Sequence, residues 1–285
     1  MDKPIVRIFI WLGIMAVLTL LAMGIWYLAC GGEQTTTSLK WLQLFQTFGT
    51  FLLPPILCAW WWSSDHKPFA WLKLNRGMSW QIALLAIAVM ICAIPGINLL
   101  ADLNSRVKLP ESLDFIEKIL REQEDAATLL TERFLQAENV GVLIINILLL
   151  ALLPALAEEL TFRGTLQQIF TRNTHVAIWI AAIVFSAVHM QFYGFVPRML
   201  MGAMFGYVFV WTGSLWVPIL MHFTNNGLAV ISYYLFDEIA DNKTWADTVG
   251  TGNMWWLGIT SIIATIALLG LVYSLTKKQK NHEIV

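Results

Sequence analysis

Charge is what this sequence has least of. Of its 285 residues only 13% are Asp, Glu, Lys or Arg, about half the roughly 25% of a soluble domain. That shortage excludes a conventional solvated surface, and with a net charge of -1 no nucleic-acid partner is expected. Cysteine is nearly absent too. Cys30, Cys58 and Cys92 are odd in number and lack metal-ligand spacing, which excludes a disulfide framework or a thiolate zinc site and leaves them as small apolar filler. There is no HExxH pair among the five histidines, no low-complexity linker and no obvious repeat.

What is there is apolar. Hydrophobic residues make up 58%, tryptophan occurs 14 times, and the mean hydropathy is +0.65. This composition specifies an all-α, polytopic membrane helical bundle. A bilayer core of roughly 30 Å needs about 20 apolar residues as a helix. Charge-free runs near that length occur at approximately 8–29, 41–62, 80–101, 140–157, 176–193, 198–213, 215–236 and 254–275. About eight transmembrane helices are therefore expected, with a seven-span count open because Gly194, Pro197, Gly213 and Pro218 interrupt the fifth to seventh runs. Lys3 and Arg7 before the first run resemble a signal n-region, but the length of the run favours a retained span.

Basic residues orient the bundle. With eight spans, one side holds Lys3, Arg7, Lys67, Lys73, Arg76, Arg163, Arg172 and the tail cluster Lys277, Lys278 and Lys280. The short loops opposite hold only Lys40, Arg198 and Lys243. Both termini are accordingly expected in the cytoplasm of a bacterial cell, with the chain in its inner membrane. Residues 109–140 stand apart: Pro110 marks a helix start, and Leu113, Ile116 and Leu120, then Leu129, Leu130 and Phe134, read as the apolar faces of one or two amphipathic helices lying on the outer surface or capping the bundle.

Glu158 and Glu159 end the long apolar run in "LLLALLPALAEELTFRG". Of 19 acidic residues, they alone adjoin a membrane helix core, where an ionisable group is a functional candidate by default. Residues four apart share a helix face, so Glu159 can pair with Arg163 while Glu158 points about 100° away. Simple headgroup-level charge explains that motif equally well. His189, with Phe185 one turn before it, and His222, with Asn226 one turn after it, place polar groups on two further spans. Gly202 and Gly206 form GxxxG between them and allow close helix approach.

Glutamate, two histidines and an asparagine are what hydrolysis of an amide by activated water requires. No serine or cysteine stands in an evident nucleophile motif. Two histidines and a glutamate also satisfy three positions of a catalytic zinc site, so a divalent metal is the rival role for the same residues, although none is required. A proton- or ion-coupled transporter, or a bacteriocin-immunity protein acting by binding, is the alternative from another class. The helix geometry poses one constraint: His189 would lie about 20 Å deep and His222 about 12 Å. The fourth helix should therefore continue through "EELTFR", with water reaching the glutamates by a cavity from the cytoplasmic side.

The motifs "EELTFR", "FSAVH" and "HFTNN" together resemble those of the CPBP intramembrane proteases, also called the CAAX protease or Abi family. The resemblance spans about residues 140–235. It divides the chain into three N-terminal spans with the amphipathic segment (1–139), a catalytic membrane core (140–236), and a last span with a basic tail (237–285). It implies an intramembrane endopeptidase acting on a membrane protein or peptide within the lipid bilayer. Glu158 and His189 would activate water, His222 and Asn226 would stabilise the oxyanion, and Glu159, Arg163 and Phe185 would support the site.

Overall fold

A computed structural model describes residues 3–63, 65–170, 173–236 and 248–282. Arg172 and Lys243, two of the residues used above for orientation, lie outside them. Among the described residues there is no strand. The chain is a helical polytopic bundle built from α1 (Pro4–Cys30), α2 (Thr36–Trp62), α3 (Trp80–Ser105), α4 (Asp114–Leu135), α5 (Val140–Ile169), α6 (Thr174–Ala187), α7 (Phe195–Thr212), α8 (Trp216–Phe236) and α9 (Trp255–His282).

Each of the eight apolar runs becomes a helix, but the count of membrane-crossing helices differs. Among the described residues six are long and apolar enough to cross a bilayer: α1, α2, α3, α5, the Phe192–Thr212 segment containing α7, and the Gly252–Gln279 segment containing α9. α6 has only 14 residues, short of the roughly 20 that span the hydrocarbon. α8 has 21, but His222, Asn225 and Asn226 lower its apolarity. Both exceptions belong to the segments that carry the candidate site.

The helix ends follow ordinary backbone chemistry. Thr35, Asn139 and Asn173 cap α2, α5 and α6 by accepting from backbone N–H groups with their side chains. Gly31 and Gly213 close α1 and α7 in the left-handed region, at φ 61° and 66°. The side chains facing outward are apolar, among them Phe9, Leu20, Leu28 and Ile263, the surface a bilayer solvates.

Prolines inside helices shape the interior. Pro54 and Pro55 in α2 and Pro154 in α5 lack an N–H and would clash with a carbonyl one turn back. Each follows a widened π-type stretch, Thr47–Leu52 and Ile147–Leu152, which lets the helix continue. The carbonyls left without an intrahelical donor are taken up by neighbours. Phe51 O, four residues before Pro55, accepts from Thr161 Oγ1 at 2.7 Å. Leu150 O, four before Pro154, accepts from Asn226 Nδ2 at 3.5 Å. In α3, which contains Pro95, Ser261 inserts between Gly96 N–H, from which it accepts at 3.0 Å, and Cys92 O, to which it donates.

GxxxG acts as expected. Gly202 packs on Ala182 and Phe185 of α6, and a Cβ on Gly206 would come within 2.9 Å of Ile178 Cγ2. The amphipathic segment is one helix, α4, preceded by a 3-10 turn. Ile116, Leu120 and Phe134 face the bundle, whereas Leu113 and Leu129 are exposed, so the buried stripe is narrower than the apolar residues alone indicate. α4 is fastened at both ends. Arg121 lies over the Tyr193 ring and Glu124 accepts from Tyr193 N–H; Arg133 donates to Gln34 O and Thr36 Oγ1.

Candidate active site

α5 runs unbroken from Val140 to Ile169, so the fourth helix does continue through Glu158 and Arg163. Its periodicity divides the two glutamates. Arg163 Nη1 donates to Glu159 Oε1 at 2.7 Å, with both side chains sealed from solvent. Arg163 Nη2 donates to Gly202 O at 2.9 Å, and the guanidinium stacks over Phe185 and Phe205. An ion pair in a dry interior is tolerable only with this degree of hydrogen bonding. The glycine at 202 matters here twice, because the absence of a side chain lets both α6 and the guanidinium approach.

Glu159 has a second partner that helix spacing does not reveal. His222 Nδ1 lies 2.9 Å from the same Oε1. A carboxylate oxygen accepts, so the ring donates from Nδ1 and turns Nε2 toward Glu158, 3.9 Å from its Oε2. His189 arrives from the other side. Its Nδ1 is 2.8 Å from Phe185 O; a carbonyl can only accept, so the neutral ring carries its proton on Nδ1 and leaves the Nε2 lone pair free. That Nε2 is 4.0 Å from Glu158 Oε2. Phe185 stands edge-on to both imidazoles and fixes their planes.

His189 is not inside a helix, as the apolar run around it suggested. α6 ends at Ala187, and His189 follows in a turn closed by Met190 at φ 56°. The short helix leaves this turn recessed within the bundle, and a cavity of about 500 Å³ opens above it. Glu158, His189 and Asn226 line it, together with α2 through Gln43 and α4 through Leu130 and Phe134. His222 lies behind, 4% exposed, against 16% for Glu158 and 29% for His189.

The cavity therefore lies toward the end that carries α4, away from the end bearing the tails. With the tails taken as cytoplasmic, this is the end opposite to the expected access route: α6 is too short to fill the bundle on the α4 side, while the other end is packed by Leu72, Leu160 and Leu215. Within the site, Glu158 Oε2 is buried and has no hydrogen-bond partner among the described residues. Among the described residues no group of three or more His, Cys, Asp or Glu side chains is placed to hold a metal ion. Both Nδ1 atoms are already committed, and the two Nε2 atoms stand 3.9 and 4.0 Å from one carboxylate oxygen; no step below is routed through a metal.

Three contacts escaped the sequence. The Glu159–His222 bond joins residues 63 positions apart. Phe205, tilted against His222 at 5.6 Å between centroids, carries no motif signal. The hold on Asn226 by Leu150 O was legible in principle, since Pro154 advertises an unpaired carbonyl four residues earlier.

Residues 140–228 match the family model described as Rce1-like, type II CAAX prenyl endopeptidase. Over 82 residues the chain is 37% identical to the uncharacterized protein YpbD of Bacillus subtilis (strain 168), a stretch covering 27% of this chain and 40% of that protein. The chain thus spans well under two thirds of the curated relative it matches. No solved structure matches.

Proposed function

We propose that this multi-pass integral membrane protein, whose residues 140–228 belong to the Rce1-like family of type II CAAX prenyl endopeptidases, hydrolyses peptide bonds of membrane-associated proteins or peptides by activated water. One observation carries the reading. Glu158 lines the cavity, and its buried Oε2, unpartnered among the described residues, lies 3.9–4.0 Å from the Nε2 atoms of His222 and His189. That spacing is too long for direct hydrogen bonds and suits a water shared at about 2.8 Å from each.

In this arrangement Glu158 takes a proton from water as its oxygen bonds the scissile carbonyl carbon. His189, with Nδ1 anchored on Phe185, shares that water through Nε2. The oxyanion receives hydrogen bonds from Asn226 Nδ2 and from His222 Nε2 when it carries the proton. The C–N bond then breaks, and the proton gained from water passes to the leaving amine. Glu159 and Arg163 touch no substrate; they hold His222 in register. The bilayer and the substrate are the expected partners, and the proposed setting is a bacterial inner membrane with both termini in the cytoplasm.

The test compares purified parental protein with Glu158→Gln on internally quenched peptides, alongside membrane proteomes of cells carrying either form. Parental cleavage with none by Glu158→Gln, and full-length substrates accumulating in the variant cells, is the expected result. Equal rates would remove Glu158 from the mechanism.

A further inference from the structure

The turn that carries His189 runs on through an extended residue, Gln191, into a single 3-10 turn, Phe192–Gly194. Its backbone groups are bonded by side chains from three helices. Asn104, near the end of α3, donates from Nδ2 to Phe192 O at 3.2 Å and accepts from Val196 N–H at 2.8 Å. Arg198 of α7 donates to Gln191 Oε1 at 2.9 Å and to Gln191 O at 3.4 Å. Glu124 of α4 accepts from Tyr193 N–H at 3.2 Å, and Arg121 on the same helix face lies 4.3 Å from the Tyr193 ring centroid. Met190 joins this clamp to His189 at φ 56°, a left-handed conformation that a residue with a Cβ keeps only where its surroundings impose it. On its near side His189 is fixed by Nδ1 to Phe185 O and by a long backbone bond, 3.4 Å, to Ser186 O. Loss of an anchor beyond Met190 therefore lets that residue relax and re-aims the His189 ring.

Glu124 is the member of the clamp that can leave. Asn104 and Arg198 belong to membrane-crossing helices, whereas α4 buries a single residue of its 22, Phe134. A helix with so little buried surface opens at low cost. Its far end is tied to α2 through Arg133, bonded to Gln34 O and Thr36 Oγ1, and to α5 through Leu135 O, which accepts from Asn146 Nδ2. Between the two attachments Leu130, Thr131 and Phe134 wall the active-site cavity. We propose that α4 is a strap whose docking completes the active site, with Glu124 as a positioning residue that holds the His189 turn in register with Glu158 through the Tyr193 N–H. This rests on the endopeptidase reading. When the strap lifts, Tyr193 is released, His189 Nε2 turns from Glu158, and the water between them is no longer shared. Hydrolysis is thereby confined to the closed cavity.

The experiment measures kcat and KM separately for the full-length protein in detergent on the quenched peptides above. It also records the NMR spectrum of isotope-labelled histidine, in which the His189 signal is identified by its loss in His189→Gln. Glu124→Leu, which has no acceptor, is expected to lower kcat about tenfold with KM held within about twofold. Glu124→Gln, whose amide oxygen still accepts, should keep the parental kcat. The Nδ1-protonated form of His189 should dominate in the parental protein and give way to tautomer averaging in Glu124→Leu. Exchanging Tyr193 for its α-hydroxy acid analogue removes the same N–H and touches no side chain. It should reproduce the kcat loss, add nothing in the Glu124→Leu background, and carry the test by itself should Glu124→Leu not fold. The inference is overturned if Glu124→Leu or the ester at Tyr193 keeps the parental kcat, if Glu124→Gln falls as far as Glu124→Leu, or if the loss lies in KM alone. If the parental protein and Glu158→Gln cut every peptide equally, the endopeptidase reading fails instead, and the His189 spectrum then decides whether Glu124 holds the turn.

Discussion

At the scale of single residues, the two adjacent glutamates have opposite surroundings and should fail in opposite ways. Glu158 lines the cavity and is held by no ion pair as close as that of Glu159, so Glu158→Ala is expected to remove about 10²–10⁴-fold of the cleavage rate with the folded bundle intact. Glu159 is sealed between Arg163 and His222. Glu159→Ala strands the Arg163 guanidinium without its counter-charge, a loss of about 3–5 kcal/mol, and should appear first as a lowered unfolding temperature in detergent. If Glu159→Ala unfolds like the parental protein, the bonds of Glu159 to Arg163 and to His222 of α8 are not what holds this part of the bundle together. Because no step here passes through a metal, exhaustive chelation should leave the peptide-cleavage rate unchanged; loss of activity restored by added zinc would reverse that assignment.

At the scale of helices, the prolines do more than bend. Pro154 leaves Leu150 O open to Asn226; Pro154→Ala restores an intrahelical N–H that competes for the same carbonyl. We expect its cleavage rate to fall by up to about 10²-fold, the range for an oxyanion donor, while thermal stability holds or rises. Unchanged activity would detach Asn226 from this carbonyl. α4 carries a pH dependence of its own. The Leu109 N–H and the Arg121 guanidinium hold the Glu117 carboxyl below its ordinary range. A depressed folded-state value stabilises the docked segment above the unfolded value and loses that contribution as pH falls through the folded one. A spin label at Glu122 should therefore become more mobile on acidification below about pH 4, and Glu117→Gln should abolish the transition.

At the scale of the whole molecule, the two ends differ in charge. Arg7 lies over Trp62, and Gln279 reaches Ser79, which puts the N-terminal segment, the 63–79 connection and the last helix at one end with Lys67, Lys73 and Arg76. The other end carries the acidic α4 and the mouth of the cavity lined by Glu158 and His189. Under the positive-inside tendency, a cysteine introduced at Lys278 should be shielded from an impermeant thiol reagent in intact cells and one at Glu122 labelled. The reverse pattern would invert the protein and place its cavity toward the cytoplasm.

Composition and spacing alone determined that the chain is an apolar helical bundle, that Glu159 pairs with Arg163, and that Gly202 and Gly206 face a close neighbour. Those properties are local: a period of 3.6 residues and the thickness of a bilayer dictate them. Only the tertiary structure decided that α6 stops at Ala187, that His189 sits in a turn, that Glu159 also binds His222, and that α2 and α4 wall the cavity. Each of these depends on which helices become neighbours, a matter of packing between residues tens of positions apart that no run of apolar side chains encodes by itself. The six-against-eight count has the same origin: the segments carrying His189 and His222 are shortened or made polar by the site they build.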